Sequence, residues 1–329
     1  MRALRSLILG VSITGFALLA GSQMCLYGQP EEDHGVTEEP KASGVASDPD
    51  RSGIQRQDLI ASSQPIVAAN ALNDEGIALY KGADYAAALT DFTRVLETYR
   101  RNGNKVGEAT VLIEIAICYD TLGRKQKALS YVDEALAKWL EIDDWDNAAS
   151  SLVRKGDIYR TWGYPEEALR YYASAAPYFS RAGDRDGQST LLNNTGLTYL
   201  SMHKMKKAAG YFDKASNVYR SLGELNGEAV ALVNLGTAYS QMHDGPRAFD
   251  ALNRALDLAR TAKDRCLEAG VLNSIGFAYA NLGEKESARM NYEAALSNYH
   301  EIGDRQGDAA VRKNLELLDQ STDSVKDPR

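Results

Sequence analysis

Small and large apolar residues recur along the chain with a period of 40 residues from position 69 onwards. In each of six successive units an alanine stands at the twentieth position, and a large apolar residue follows four positions later. No insertion or deletion interrupts this register over 240 residues. A fixed period of this length is the signature of a repeat architecture. The repeated alanines are Ala88, Ala128, Ala168, Ala208, Ala248 and Ala288.

Within one unit the apolar spacing predicts two helices joined by a short turn. Leu192, Gly196 and Tyr199 lie at i, i+4 and i+7, which places them on one face of a first helix. Ala208 and Phe212 begin a similar stripe on a second helix. Because a glycine or alanine in one helix leaves room for an aromatic ring of its neighbour, we expect the two helices to pack closely.

Turn and cap residues mark the ends of these helices. Several units have glycine in the turn between their two helices, whereas units 4 and 5 have His203 and His243 there. Pro177 interrupts the second helix of unit 3 and is expected to bend or shorten it. The aspartates expected to cap the following first helices are Asp184, Asp264 and Asp304.

The residues at fixed positions resemble those of tetratricopeptide repeats. These are leucine at the fourth position, glycine at the eighth, tyrosine at the eleventh, alanine at the twentieth and an aromatic residue at the twenty-fourth. The 40-residue unit, with LVNLGTAY at 232–239 and GDRQG at 303–307, is similar to the long variety of this repeat. The resemblance covers residues 69 to about 318 and implies an interaction platform, but no particular partner.

We therefore predict an all-α fold, a right-handed α-solenoid of six helix-turn-helix units followed by a C-terminal capping helix. The six repeats are predicted at 69–108, 109–148, 149–188, 189–228, 229–268 and 269–308. The capping helix is predicted at 309–320, where Arg312, Lys313 and Glu316 suit the solvated end that an open array needs. Residues 321–329 are predicted to be a disordered tail.

The N-terminus is predicted to be a secretory signal peptide at 1–22. Two arginines precede an apolar stretch from Leu7 to Ala20, which would span about 21 Å as a helix, less than the roughly 30 Å of a hydrocarbon core. The protein is therefore expected to be exported to the periplasm or secreted, with an uncleaved signal anchor as the alternative. Residues 23–65 contain four of the eight prolines and few large apolar residues, which predicts a disordered linker.

The overall charge narrows the class of partner. Lys and Arg number 37 against 45 for Asp and Glu, which gives a net charge of −8. A nucleic-acid-binding surface must be basic, so this balance argues against a nucleic-acid partner. We expect a protein or peptide partner, and self-association into a homo-oligomer is the alternative that the sequence leaves open.

The sequence contains no motif for catalysis or cofactor binding. It has no phosphate loop ending in Gly-Lys-Ser/Thr, no His-Glu-x-x-His, no Cys-x-x-Cys and no Gly-x-Ser-x-Gly. His203 and His243 occupy equivalent turns, but no further ligand stands at metal-binding spacing, so we expect solvated turn residues there. We predict no catalytic residue, no metal and no cofactor, and therefore no enzyme.

Two of the three cysteines fall within the repeats. Cys118 occupies a small, packed position, whereas Cys266 lies in the turn between two repeats. Because stacked repeats hold them far apart, these two cysteines cannot form a disulfide with each other. Cys118 is predicted to be a core residue and Cys266 a free thiol.

The first helix of each unit is expected to line the concave face of the superhelix. The candidate peptide-binding residues on it are Arg154, Asp157, Asn193, Asn194, Asn234, Thr237, Asn273 and Asn281. Because an asparagine amide carries a donor and an acceptor, successive asparagines can bond the N–H and C=O groups of an extended peptide. In similar long-repeat proteins, asparagines at the positions of Asn194 and Asn234 hold peptide backbones in this way. The alternative is that these amides bond neighbouring helices or face water.

The sequence thus predicts a non-catalytic adaptor or scaffold that binds an extended peptide or protein segment in its concave groove. The alternative is a structural component that self-associates, or docks a membrane-associated assembly, through its convex surface. Trp139 and Trp145 are the sequence features that favour this alternative, although Trp139 stands at a position that is usually aromatic and so is expected in the core.

Overall fold

The computed structural model describes residues 52–323, which form thirteen α-helices and no strand. The helices are α1 (Ser52–Lys81), α2 (Tyr85–Arg101), α3 (Lys105–Thr121), α4 (Lys125–Glu141), α5 (Trp145–Trp162), α6 (Pro165–Ala182), α7 (Arg185–Ser201), α8 (Met205–Leu222), α9 (Leu225–Gln241), α10 (Gly245–Thr261), α11 (Arg265–Asn281), α12 (Lys285–Ile302) and α13 (Arg305–Asp323). The prediction of an all-α fold is confirmed. None of these helices is both long enough and apolar enough to cross a membrane.

Two compact bodies make up the described chain, and each is built from consecutive helix pairs. The N-terminal body, 52–143, contains the pairs α1–α2 and α3–α4. The C-terminal body, 144–323, contains the four pairs from α5–α6 to α11–α12, followed by α13 alone. Within each body a second helix packs against its own first helix and against the first helix of the next pair.

The first helix begins earlier than the sequence suggested. It starts at Ser52, inside the segment predicted to be a disordered linker at 23–65. That prediction depended on the prolines and on the scarcity of large apolar residues, but no proline stands between Pro49 and Pro65, and α1 accommodates Pro65 within its length. The rest of the predicted linker and the predicted signal peptide at 1–22 lie outside the described residues.

Two other helices also differ from expectation. α13 is longer than the capping helix predicted at 309–320, since it begins at Arg305 and ends at Asp323. α6 contains Pro177 and still runs for 18 residues, the same length as α8 and α12. The proline therefore does not shorten its helix.

The core of each unit pairs a small residue with a large one. A Cβ atom on Gly196 would lie 2.6 Å from Cε1 of Phe212, so only glycine fits beside this ring. The second unit has Ala116 opposite the smaller Val132, and both side chains are fully buried. The predicted packing of a small residue of one helix against a large residue of its partner helix is confirmed.

A small residue also packs against a large one between successive units, and this contact was not predicted. Gly227 at the start of α9 faces the ring of Tyr219 near the end of α8, with no room for a Cβ atom. One unit later, Ala259 takes the place of the ring and Leu267 takes the place of the glycine, within one hydrophobic core. The two positions therefore keep a similar combined volume, which is the kind of swap that a packed core tolerates best.

The predicted caps are present at the starts of the first helices. Asp184 Oδ1 accepts a hydrogen bond from the backbone N–H of Gly187 at 3.0 Å, and Asp264 Oδ1 accepts one from that of Leu267 at 2.9 Å. Asp304 caps α13 in the same way. Each cap satisfies an N–H group that has no partner within its own helix.

The turn inside each unit includes one residue with a positive φ. Gly123, Gly163 and Gly283 occupy this position in three units, and His203 and His243 occupy it with φ of 55° and 56°. An L-residue with a Cβ atom is strained in this region by about 1–2 kcal/mol, whereas glycine is not. The two histidines are therefore local sites of backbone strain.

Replacing His243 with glycine is expected to raise the free energy of unfolding by about 0.5–1 kcal/mol, because relief of the backbone strain exceeds the entropy that glycine adds to the unfolded chain. The reciprocal change, Gly283→Ala, introduces the strain and should lower stability by about 1 kcal/mol. Urea unfolding of the two variants and the wild type measures both effects. A loss of stability in His243→Gly would contradict this account of the turn.

The two cysteines of the repeats differ in their bonding. Cys118 is buried and free, as predicted for a core residue. Cys266 forms a disulfide bond, so the prediction of a free thiol there is wrong. That prediction had considered only Cys118 as a partner, and the separation of these two cysteines gives no information about any other.

Candidate peptide-binding face

All eight candidate residues lie on first helices of the C-terminal body. Arg154 and Asp157 are on α5, Asn193 and Asn194 on α7, Asn234 and Thr237 on α9, and Asn273 and Asn281 on α11. We call this set the first-helix face. Seven of its residues are between 2% and 8% exposed, and Asn281 is partly buried. Polar groups at such depth need hydrogen-bond partners, and several of these partners lie within the chain itself.

Asp157 is the centre of a buried polar cluster. Its Oδ1 accepts hydrogen bonds from the Tyr172 hydroxyl at 2.6 Å and from Arg160 Nη2 at 3.4 Å. Asn194 Nδ2, on the next first helix, lies 3.5 Å from the same oxygen. The cluster therefore ties α5 to its own second helix and to α7.

The surroundings of this cluster hold Tyr172 and Arg160 each in one charge state. Burial, followed by the nearby Asp157 carboxylate, raises the pKa of Tyr172 well above its ordinary value. Burial acts to lower the pKa of Arg160, but Tyr172 and Asp157 outweigh it, and the pKa of Arg160 is raised overall. Tyr172 is consequently a neutral donor and Arg160 a permanent cation at any physiological pH.

Asparagines on consecutive first helices are bonded to each other. Asn234 Nδ2 donates to Asn193 Oδ1 at 2.9 Å, and Asn314 Nδ2 donates to Asn273 Oδ1 at 2.9 Å. The two residues of each pair are 41 positions apart, so the fifth position of one unit meets the sixth position of the next. These pairs join adjacent repeats directly through their first helices.

A third contact has the same separation, since Asn281 Nδ2 donates to Ser240 Oγ at 2.9 Å. Some of the hydrogen-bonding groups of the face are therefore bonded to neighbouring helices, which is the alternative that the sequence left open. An asparagine side chain has two N–H donors and an acceptor oxygen, so a single bond does not exhaust it. Peptide binding by these residues stays a prediction.

Sequence reasoning missed four members of this network. Each of them bonds a candidate residue but was not singled out: Arg160, Tyr172, Ser240 and Asn314. Aligning the units by their 40-residue period compares equivalent positions, whereas the contacts join positions offset by one further residue. A search for polar pairs at a separation of 41 would have found Ser240 and Asn314.

An exposed aromatic group stands beside the turn between α5 and α6. Trp162 stacks on Tyr159 with 6.2 Å between ring centroids, and Tyr164 meets Trp162 edge-on at 5.5 Å. Tyr159 also stacks on Tyr171 at 5.2 Å. Trp162 and Tyr164 are 39% and 49% exposed, so this edge of the C-terminal body presents aromatic surface of the type found in interfaces.

Neither histidine turn forms a metal site. His203 and His243 are exposed at the surface. Among residues 52–323 no three His, Cys, Asp or Glu side chains gather in a way that could hold a metal ion.

Consecutive helix pairs in a constant 40-residue register, with polar residues on successive first helices, define a helical repeat protein. Residues 67–141 and 187–261 match a family model described as tetratricopeptide repeat, and 149–176 and 269–299 match a second model with the same description. Together these segments cover more than half of the sequence. The chain belongs to the tetratricopeptide repeat family, whose members are generally non-catalytic adaptors.

Solved structures of low sequence identity share this fold. Aspartyl phosphate phosphatase F from Bacillus subtilis is 13% identical with a TM-score of 0.64, over 81% of this chain and 74% of that one. A Rap protein in complex with competence and sporulation factor is 14% identical with a TM-score of 0.55, over 76% and 74%. The quorum sensor NprR from B. thuringiensis, in its apo form, is 14% identical with a TM-score of 0.52, over 80% of each chain.

At these identities the likeness shows the fold alone. No curated protein matches the sequence of this chain.

Proposed function

We propose that this protein is an exported, non-catalytic adaptor that binds an extended peptide or protein segment on the first-helix face of its C-terminal body. The observation that carries the proposal is the row of hydrogen-bonding side chains on four consecutive first helices, α5, α7, α9 and α11. Successive amides at the spacing of stacked helices match the alternating N–H and C=O groups of an extended backbone.

Hydrogen bonds within the first-helix face hold its side chains in place before a ligand binds. Asn234 is held by Asn193, and Asn194 lies beside Asp157. Side chains that are already ordered lose little further entropy when a ligand binds, so ordering favours affinity. The charges on this face are few and of both signs, which favours a neutral backbone over a strongly charged ligand.

The family and the structural neighbours are compatible with this proposal. Tetratricopeptide repeat proteins are generally adaptors, and one of the similar structures is a Rap protein in complex with competence and sporulation factor. Export is supported by the predicted signal peptide at 1–22, whose apolar stretch is too short to cross a bilayer as a helix.

The proposal is tested by capturing partners from the exported fraction with the wild type and with the double variant Asn194→Ala/Asn234→Ala. Asn314→Ala is the matched control, because it breaks the same kind of inter-helix amide pair while every residue of the first-helix face, including its partner Asn273, stays in place. Circular dichroism establishes that all three proteins are helical to the same extent.

A partner captured by the wild type and by Asn314→Ala, but lost by the folded double variant, supports binding on the first-helix face. A partner retained by all three proteins contradicts it and places the interaction elsewhere. Capture of a second copy of this chain alone favours self-association instead.

The alternative of docking through the convex surface has less support. Met290, which is 71% exposed on α12, is the one large apolar side chain exposed away from the ends of the described second helices. Trp139 is buried, as expected for its repeat position. Trp145 stacks on Tyr178 at 6.0 Å between ring centroids, with the Arg181 guanidinium over its ring, so it is engaged within the C-terminal body.

A further inference from the structure

A buried amide and a buried carboxyl group meet in the N-terminal body. Asn73 on α1 donates from Nδ2 to Oε1 of Glu114 on α3 at 3.1 Å. The other oxygens of the same two groups, Asn73 Oδ1 and Glu114 Oε2, are buried and have no hydrogen-bond partner. Two unsatisfied acceptors on one bonded pair are unfavourable, because each has lost water without gaining a donor.

In the part of the chain that the structure describes, no positively charged group lies beside Glu114 to stabilise an ionised carboxylate. From α1 the neighbouring titratable group is Asp74, from α2 it is Tyr99, and on α3 itself it is Cys118. Among the described residues α4 places no charged group against Glu114, and no Lys or Arg forms an ion pair with it. An unpaired buried carboxylate is far less stable than its protonated form.

The equivalent contacts in later repeats show what this site lacks. Asn193 with Asn234, and Asn273 with Asn314, have the same 41-residue separation, and the sixth-position residue is an amide that donates. At the Asn73 contact the sixth position is Glu114, and the direction of the bond is reversed. A carboxylate has no proton to donate back, whereas a carboxylic acid has one.

We propose that Glu114 holds a proton on Oε2 and donates it to Asn73 Oδ1, which closes a two-bond ring between the first helices of repeats 1 and 2. This one proton gives both Glu114 Oε2 and Asn73 Oδ1 a hydrogen bond. The pair is a proton-dependent latch within the N-terminal body, independent of the proposed peptide-binding face.

The electrostatics agree with this geometry. Burial raises the pKa of Glu114 to about 8, the bond from Asn73 opposes the rise, and the charge of Asp74 adds to it. In the unfolded chain a glutamate titrates near pH 4.3, so at or below that pH both states carry the proton. Between there and about pH 8 the unfolded chain releases its proton while the folded chain keeps it. Stability is therefore highest at the acid end of this window and declines as pH rises towards 8.

The experiment measures the urea midpoint of the full chain from pH 5 to pH 9 for the wild type, Glu114→Gln and the control Glu75→Gln, which removes an exposed acid from α1. Glutamine can supply the donor and the acceptor that the protonated acid supplies, with one further N–H, and it cannot titrate. We expect Glu114→Gln to lose the part of the pH dependence that the wild type and Glu75→Gln share, and to have the higher midpoint at pH 8.

Infrared spectroscopy of the folded proteins at pH 6 provides a second readout. The carbonyl stretch of a protonated carboxylic acid should be present in the wild type and Glu75→Gln and missing in Glu114→Gln. Asp74→Asn removes a like charge, so it should lower the pH at which this band disappears.

Identical pH profiles for the wild type and Glu114→Gln, or an infrared difference that shows a carboxylate at pH 6, would overturn the proposal. Failure of Glu114→Gln to fold would overturn it as well, because the amide supplies every hydrogen bond that the latch assigns to the acid.

Discussion

Replacing Asp157 with alanine is expected to lower the free energy of unfolding by about 3–5 kcal/mol, although the substitution removes only a few atoms. The carboxylate accepts hydrogen bonds from Tyr172 and Arg160, and Asn194 lies near the same oxygen. Without it, the buried Tyr172 hydroxyl loses its 2.6 Å acceptor, and Arg160 loses the nearby negative charge that helps to raise its pKa.

The variants Asp157→Asn and Tyr172→Phe separate the parts of this loss. Asparagine keeps an acceptor oxygen but not the charge, so it should lose about 1–3 kcal/mol, less than alanine. Tyr172→Phe removes only the hydroxyl and should lose about 1–2 kcal/mol. Chemical unfolding monitored by circular dichroism measures all three. A loss below about 1 kcal/mol for Asp157→Ala would show that the cluster does not hold α5, α6 and α7 together.

Replacing Gly196 with alanine is expected to lower stability by about 1–3 kcal/mol, although alanine is the better helix former. The added Cβ would lie 2.6 Å from Cε1 and 2.7 Å from Cδ1 of Phe212, a fully buried ring that has no free space to enter. The ring must therefore move and disturb the core that it shares with α9 and α10.

Two further variants test this explanation. Gly210→Ala, on α8, has no atom within 4 Å of the new Cβ, so it should gain up to about 1 kcal/mol from helix propensity. Phe212→Val combined with Gly196→Ala copies the natural pair of Ala116 and Val132. This double variant should lose less than the sum of its two single variants, which a double-mutant cycle measures. Additive losses would show that the side-chain sizes at positions 196 and 212 do not compensate for each other.

The periodic part of the fold could be predicted because each repeat supplies the same information again. Alanine at the twentieth position and the small residue at the eighth are visible in every unit, and they specify which helix faces meet. Substitutions within this pattern are also informative, since Ala116 and Val132 change together in size. The caps at Asp184 and Asp264 followed from local chemistry alone.

The side-chain contacts between neighbouring repeats could not be predicted in the same way. Their contacts pair different positions of neighbouring units, such as Asn193 with Asn234 at a separation of 41, so a comparison of equivalent positions does not reveal them. The meeting of Tyr219 with Gly227 is likewise a contact between a second helix and the next first helix. It becomes visible only when the direction in which helices stack is known.

The candidate site was predicted as a row of positions, and its hydrogen-bonding state was not. Asn194 and Asn234 are on first helices as expected, but their partners depend on which side chains the stacking brings within reach. Composition cannot distinguish an amide that faces a ligand from one that faces Asp157 or Asn193. That distinction needs the distances.

The most direct test of the proposed adaptor function places a photo-activated cross-linking amino acid at one of three positions of the full chain. Gln241 and Phe277 are partly exposed residues of α9 and α11, two of the first helices that carry the first-helix face, and Met290 is exposed on a second helix. Each protein is irradiated in the exported fraction and the cross-linked partner is sequenced. Binding on the first-helix face predicts one common partner cross-linked from 241 and 277 and none from 290. A partner cross-linked from 290 alone would contradict it.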